Sequence, residues 1–168
     1  MAEISETFRG TIALPDLDAT ARLGAAGLLG LGITALHARF NQFVVGSIDN
    51  TGNHVQAAPD FSVNARYQYT FDLARGQQLG AFIASTYVDG HYVANNNPRG
   101  SFQSSYTKTA VGLSVQSANR AWTITAFARN LENEAVMASY SDPISRGGDI
   151  AFLEPPRTYG VTITWSLP

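Results

Sequence analysis

Three clusters of polar residues interrupt the apolar stretches of this chain, and they contain the side chains best suited to bind a ligand. Imidazole, phenol and guanidinium groups all donate hydrogen bonds, and Arg also carries a permanent positive charge. Ordinary solvated loop chemistry is the alternative interpretation for every one of these residues. The predicted ligand-binding residues are His54, His91, Tyr92, Arg99 and Arg146.

Catalytic chemistry has little support in the sequence. The chain has no cysteine, which excludes thiolate catalysis, disulfides and thiol-ligated metals. It also has no nucleophile-elbow pentapeptide and no metalloprotease His pair. Residues 30–35 match a loose dinucleotide-binding pattern, but no strand–turn–helix unit surrounds them, so glycines inside a strand explain them better. We predict no catalytic residues, no metal site and no cofactor.

Charge and hydropathy limit the remaining classes. The net charge is −2 and no run of Lys or Arg occurs, so nucleic-acid binding is not expected. The longest stretch without a charged residue or His covers residues 23–36, which is shorter than the roughly 20 residues of a membrane-spanning helix. No signal peptide is recognisable, because Glu3 and Glu6 precede this stretch.

Alternation of apolar and polar residues is the clearest structural signal. The segment Phe61–Asp72 alternates without exception, and residues 158–167 repeat the pattern. A period of two places the two sets of side chains on opposite faces of a β-strand. Residues 79–88 alternate less well, because Phe82 and Val88 fall on the face that should be polar. Counting these three, the predicted strands are about seven in number: residues 8–14, 19–39, 61–72, 79–88, 106–116, 122–129 and 158–167.

The glycine-rich segment at residues 19–39 admits two interpretations. A helix would contain Gly24, Gly27, Gly30 and Gly32, at a combined cost of about 4 kcal/mol relative to Ala. A strand would place Leu23, Leu29, Leu31 and Ile33 on one face. We therefore predict one long strand, projecting beyond a bilayer or bent at a glycine bulge.

The lengths of the connections distinguish between kinds of β protein. Short connections are predicted at residues 15–16, 74–77 and 117–120, and long ones at 41–59, 90–104 and 132–156. Strict alternation of this kind is typical of a transmembrane β-barrel with short periplasmic turns and long extracellular loops. The fold class predicted is therefore all-β, an antiparallel transmembrane β-barrel segment. Single-chain bacterial barrels close with an even number of strands, so seven strands should be a piece of a barrel.

The two faces of such strands have distinct expected roles. Rings on the outward face suit the aromatic belts that flank a bilayer; they are Tyr67, Tyr69, Trp122, Tyr159 and Trp165. Charged residues on the other face would point into a water-filled or plugged lumen; they are Arg22, Arg66, Lys108 and Arg129.

Three segments together resemble the C-terminal end of TonB-dependent outer-membrane receptors. Residues 52–62 (GNHVQAAPDFS) carry a glycine followed by Ala-Pro before a strand. Residues 122–131 (WTITAFARNL) resemble the penultimate strand of that family with its Asn-Leu end, and residues 155–163 (PPRTYGVTI) resemble its final strand. The order and spacing of the three are those of the family.

The resemblance implies an outer-membrane receptor that takes up ferric siderophores or similar scarce nutrients, with energy supplied through TonB. It implies a barrel of about 22 strands around a plug, of which residues 1–168 would be the C-terminal segment, without plug and signal peptide. The expected location is the bacterial outer membrane. The expected partners are lipid, the missing barrel strands and plug, TonB through the missing region, and the barrel-assembly machinery through the C-terminal strand. The family usually ends on an aromatic residue, whereas here Leu167 takes that place and Pro168 follows it.

Two alternatives are left open by the sequence. A soluble lipocalin-like β-barrel would use the apolar face to line an interior that binds a small ligand. An outer-membrane enzyme would require a Ser, Asp or Glu whose removal abolishes turnover, and no substrate suggests itself.

Overall fold

The computed structural model describes residues 7–13, 15–141 and 148–165, with side chains for 15–141 and 148–165. Most of this part of the chain is β-strand, and none of it is α-helix. Within the described ranges, no helix has the length and apolar character that a membrane crossing requires. Two short 3₁₀ turns occur at Ala74–Gly76 and Arg99–Ser101. The strands are β1 (Thr7–Ala13), β2 (Asp16–Leu23), β3 (Gly27–Ala35), β4 (His37–Val45), β5 (Ile48–Asp49), β6 (Phe61–Asp72), β7 (Gln78–Val88), β8 (His91–Tyr92), β9 (Phe102–Gln103), β10 (Tyr106–Gln116), β11 (Trp122–Arg129), β12 (Met137–Ser141), β13 (Ile150–Leu153) and β14 (Thr158–Trp165).

Seven strands form one antiparallel sheet, in the order β14-β11-β10-β7-β6-β3-β2. Successive strands of this sheet are neighbours because hairpin connections place consecutive strands side by side. The other strands form small sheets: β1 with β4 and β5, β8 with β9, and β12 with β13. The predicted all-β fold with seven antiparallel strands is confirmed.

The predicted long strand at residues 19–39 is wrong, because the chain reverses within it. Asp16 pairs with Thr34, and Ala13 pairs with His37 in the same register, so β1 and β2 together face β3 and β4 in one long hairpin. The turn of this hairpin lies at residues 24–26, where Gly24 has a φ of +68°. The predicted turn at residues 15–16 is also wrong, since the hairpin register continues unchanged past this point.

The physical reason for the missed turn is the composition of residues 24–26. Gly24 adopts a left-handed conformation that costs a residue without a Cβ very little. At Gly27, a Cβ would lie 2.6 Å from the carbonyl oxygen of Leu23, so the close of the hairpin also requires a glycine. The residues between them are Ala25 and Ala26, which carry none of the usual turn signals.

The short and the long connections lie at opposite ends of the sheet. The short turns follow β2, β6 and β10, and two of their three predicted positions, residues 74–77 and 117–120, are confirmed. The long connections follow β4, β7 and β11. Because antiparallel strands alternate in direction, all three long connections leave the sheet at one end.

One face of the sheet is apolar across the strands. The register places Tyr67 opposite both Leu29 and Ile83, and Val111 opposite both Ile83 and Ala128. Nothing in the described chain covers this face. Its side chains are accordingly exposed, with fractions of 57% for Leu113, 68% for Tyr159 and 68% for Ile163. Buried apolar residues lie mainly among the long connections and the strand ends beside them: Ala38, Phe40, Ala58, Ala128 and Val136.

The opposite face is polar, and two phenylalanines on it cover glycines of the neighbouring strand. The ring of Phe82 lies where a Cβ of Gly112 would be, and the ring of Phe127 lies against Gly160 in the same way. An arginine covers each ring: Arg66 lies 5.3 Å from the ring centre of Phe82, and Arg129 lies 4.7 Å from that of Phe127. Phe82, which interrupts the alternation of β7, is therefore packed against a glycine on the polar face.

Candidate ligand-binding site

The connection between β4 and β6 lies back along β4. The backbone N–H of Phe40 donates to the carbonyl of Asn53 at 3.0 Å, and that of Val55 donates to the carbonyl of Ala38 at 3.3 Å. The N–H of Gly52 donates in turn to the carbonyl of Phe40 at 2.7 Å. These bonds satisfy the edge of β4 that β1 leaves free, so this connection extends the wall of the sheet.

Asn97 holds the next long connection to this one. Its side-chain oxygen accepts from the backbone N–H of His54 at 2.7 Å, and its amide nitrogen donates to the carbonyl of His54 at 3.0 Å. Asn97 has a φ of +47°, a conformation that Asn tolerates better than most residues. A second asparagine, Asn95, accepts from the N–H of Gln56 at 3.1 Å.

His54 lies half-buried at this junction. Its ring is 5.6 Å from that of Tyr92, centre to centre. Burial, followed by the positive charge of Arg39, lowers the pKa of His54 below 6.5, and Asp60 acts weakly in the opposite direction. The neutral imidazole is therefore the form that the folded connections favour.

His91 and Tyr92 are consecutive in the chain, but their side chains lie in different surroundings. The ring of Tyr92 packs between His54 and Phe102, whose ring centre is 5.1 Å away. His91 is 8% exposed, and its Nδ1 donates to the carbonyl of Asp89 at 3.0 Å. His91 lines a cavity, whereas Tyr92 and His54 form part of the contact between connections.

Arg99 and Arg146 complete the predicted set. Arg99 is exposed at the start of the Arg99–Ser101 turn and lines neither of the two cavities described below. Arg146 lies outside the described residues. The structure thus brings His54 and Tyr92 together and places His91 alone at a cavity.

A cavity of about 510 Å³ lies where the three long connections meet the polar face. We call it the Glu154 cavity. Strand residues Val88 and Tyr106, from the polar face, line it together with residues of all three connections. Its polar lining consists of Gln56, His91, Tyr106, Ser139, Tyr140 and Glu154.

A second cavity, of about 430 Å³, lies beside it and has a different lining. We call it the Lys108 cavity. It is lined by two cations, Lys108 and Arg129, with Asn130, Thr158 and the pair Pro155 and Pro156. Lys108 forms an ion pair with Glu154, so each of the two cavities contributes one member of this pair.

Glu154 and its neighbours are held in place by backbone bonds. The N–H of Glu154 donates to the carbonyl of Val136 at 2.8 Å. Gln103, itself buried, accepts from the N–H of Met137 at 2.8 Å. Asn130 is also buried; it donates to the carbonyls of Glu134 at 2.9 Å and Pro155 at 3.3 Å. The cavity walls are therefore fixed by the connections themselves.

The sequence did not single out Glu154 or Tyr106, although it did predict Lys108 and Arg129 to point inward. Glu154 follows a short strand inside a long connection, and no local pattern marks it as a partner of Lys108. Tyr106 could have been identified from the sequence, because it lies two residues before Lys108 on β10 and alternate residues of a strand share a face.

Metal ligands do not gather in this region. Among the described residues, no group of three or more His, Asp or Glu is close enough to hold a metal ion. Among the described residues, His91 lies at the Glu154 cavity, whereas His54 lies at the junction of two long connections, where the charge of His37 also lowers its pKa.

The fold is a seven-stranded antiparallel sheet whose strand arrangement is similar to part of the wall of an outer-membrane receptor β-barrel. The particular likeness is to the ferric yersiniabactin uptake receptor FyuA from Yersinia pestis, with a TM-score of 0.78 over 93% of this chain. The two sequences are 18% identical, so the likeness establishes the fold.

The chain spans 23% of the length of that receptor. No protein-family model matches the sequence, and no curated protein matches it either.

Proposed function

We propose that this chain is part of the wall of an outer-membrane receptor barrel that captures a small ligand at the cell surface for uptake. One observation carries the proposal: residues of all three long connections line the Glu154 cavity together with Tyr106 and Val88 of the polar face. The apolar face stays bare. A membrane barrel requires this polarity, with lipid on the apolar side and a polar lumen.

Uptake of a ferric siderophore, or of a similarly scarce nutrient, is the transport activity we propose. It rests on the name of the structural neighbour, an uptake receptor, and on the sequence resemblance to TonB-dependent receptors. Further barrel strands and a plug would complete the lumen, TonB would supply energy, and the barrel-assembly machinery would insert the strands. Residues 1–168 would be the C-terminal barrel segment, and the receptor would bind its ligand without catalysis.

The location and orientation can be tested with single cysteines, because the chain has none of its own. Ser104 is exposed in the long connection before β10, and Ala118 is exposed in the short turn after it. In cells that express the protein containing this chain, we expect bulky polymer-linked maleimide to label Ser104→Cys in intact cells. Ala118→Cys should react only after the outer membrane is permeabilised.

Recovery of the protein in the soluble fraction, or labelling of Ala118→Cys alone in intact cells, would contradict this arrangement. Transport is tested separately by deleting the gene and measuring growth on ferric siderophores as the sole iron source. Unchanged growth on every siderophore supplied would remove the iron-uptake part of the proposal and leave the location intact.

A further inference from the structure

We infer that the ligand of this site is zwitterionic, with its anionic group in the Lys108 cavity and its cationic group in the Glu154 cavity. The inference rests on the proposed receptor function and specifies the chemical class of its ligand.

The first argument is the opposite charge of the two linings. Among the described residues that line the Glu154 cavity, Glu154 is the only acid and none is Lys or Arg. The described lining of the Lys108 cavity contains two cations, Lys108 and Arg129, and no acid. Two adjacent compartments therefore carry charges of opposite sign, which is the complement of a molecule with a positive and a negative end.

The second argument is the ion pair between the cavities. The side chains of Lys108 and Glu154 are 26% and 37% exposed, so both charges are partly removed from water. A ligand of one sign can replace only one member of the pair, and it leaves the other charge unpaired in a partly desolvated place. A zwitterion replaces both members at once, so the site discriminates against singly charged molecules.

The third argument is the placement of Arg129 over an aromatic ring. Its guanidinium lies 4.7 Å from the ring centre of Phe127, which is itself packed against Gly160. A guanidinium held on a ring keeps its edge available to a carboxylate. Arg66 has the same arrangement on Phe82 but lines a separate groove on β2, β3, β6 and β7, so it provides a matched control.

The experiment uses three probes of nearly equal size that differ in charge. They are leucyl-leucine, which is zwitterionic at pH 7, its C-terminal amide, which is cationic, and its N-acetyl derivative, which is anionic. Binding to the protein that contains this chain, purified in detergent micelles, is measured by equilibrium dialysis. We expect leucyl-leucine to bind at least about tenfold more tightly than either derivative.

Variants then assign each charge to its cavity. Glu154→Gln should abolish the preference for leucyl-leucine over the N-acetyl derivative, and Arg129→Gln should abolish its preference over the amide. Arg66→Gln should leave both preferences unchanged. Circular dichroism verifies that each variant keeps its sheet content, and the three-probe comparison on the unaltered chain is decisive if a variant fails to fold.

Equal or tighter binding of either derivative, or no binding of leucyl-leucine, would overturn the inference. Neither result would contradict the receptor proposal, because the cysteine labelling tests the location of the protein without any ligand.

Discussion

At the scale of single residues, a few polar side chains join the long connections to one another. Asn97 makes two hydrogen bonds to the backbone of His54, and Lys108 joins the polar face to the last long connection through Glu154. Such contacts are made between residues far apart in the chain. A polar group removed from water needs a partner, so each of these side chains constrains two segments at once.

The first prediction concerns the pH dependence of the contact at His54. The pKa of His54 in the folded chain is below 6.5, because burial and Arg39 disfavour its charged form. When the segment around His54 detaches from the folded connections, the His54 imidazole therefore binds a proton more readily than it does in the folded chain. The contribution of His54 to the stability of the folded connections is complete above pH 6.5. It is lost as the pH falls from about 6.5 through the lower pKa of His54 in the folded chain.

Amide hydrogen exchange at residues 54–56 measures this effect, once the protection is corrected for the intrinsic exchange rate. We expect protection to decrease on acidification in the unaltered protein and to vary less with pH in His54→Gln. An equal decrease in both would assign the effect to another group.

At the scale of elements, glycines and rings determine how the strands lie against each other. Phe82 covers Gly112 on the neighbouring strand, and Phe127 covers Gly160. Aromatic cover of a strand glycine restores the packing and the exclusion of water that a missing side chain loses. The same pattern recurs between β7 and β10 and between β11 and β14.

The second prediction follows from the space at these glycines. In Gly112→Ala, the new Cβ would overlap the ring of Phe82, which is covered by Arg66 and cannot move without losing that contact. We expect a loss of about 1–3 kcal/mol in the free energy of unfolding, as for overpacking in general. Urea unfolding in micelles measures it.

Gly30→Ala is the control, because the nearest atom to its Cβ would be the carbonyl oxygen of Arg66 at 4.0 Å. Both glycines lie on the polar face of the same sheet. If the two substitutions were equally destabilising, the contact with Phe82 would not be the cause.

At the scale of the whole molecule, the two faces of the sheet have opposite polarity and different cover. The long connections fold over the polar face, whereas the apolar face has exposed Leu, Ile, Tyr and Trp side chains. A water-soluble protein rarely exposes a continuous apolar surface of this extent. This arrangement is the reason for the membrane location proposed above.

The third prediction tests that location through one pair of neighbouring residues. Tyr67 is on the apolar face and Gln68 is on the polar face of β6. Tyr67 lies near the middle of the twelve-residue β6, so in lipid Tyr67→Arg should cost roughly 2–4 kcal/mol, the range for the midplane of the bilayer, whereas Gln68→Arg should cost much less. The free energy of unfolding from lipid vesicles distinguishes them.

A soluble barrel that binds its ligand against the apolar face would behave differently. In that case the protein would fold without lipid or detergent, and Gln68→Arg would be a harmless surface change while Tyr67→Arg would abolish ligand binding. Folding in plain buffer would therefore decide against the membrane location.

The sequence alone determined the all-β class of the fold, the five long strands that follow residue 60 and the polarity of their two faces. Strict alternation in Phe61–Asp72 is a local property of a strand with unlike surroundings on its two sides, and it requires no knowledge of the neighbours. For the same reason, Lys108 and Arg129 could be placed on the polar face from their parity. The turns at residues 74–77 and 117–120 were also predicted, because polar residues mark them.

Only the tertiary structure decided the position of the first hairpin turn, the role of Phe82 and the pairing of Lys108 with Glu154. The turn at Gly24 lies in an apolar stretch without polar turn residues, so the local signal was absent. The packing of Phe82 is set by Gly112 on the neighbouring strand. The ion pair of Glu154 is made with Lys108, which lies 46 positions earlier in the chain. These contacts are set by register and by the folding of long connections, which no local pattern encodes.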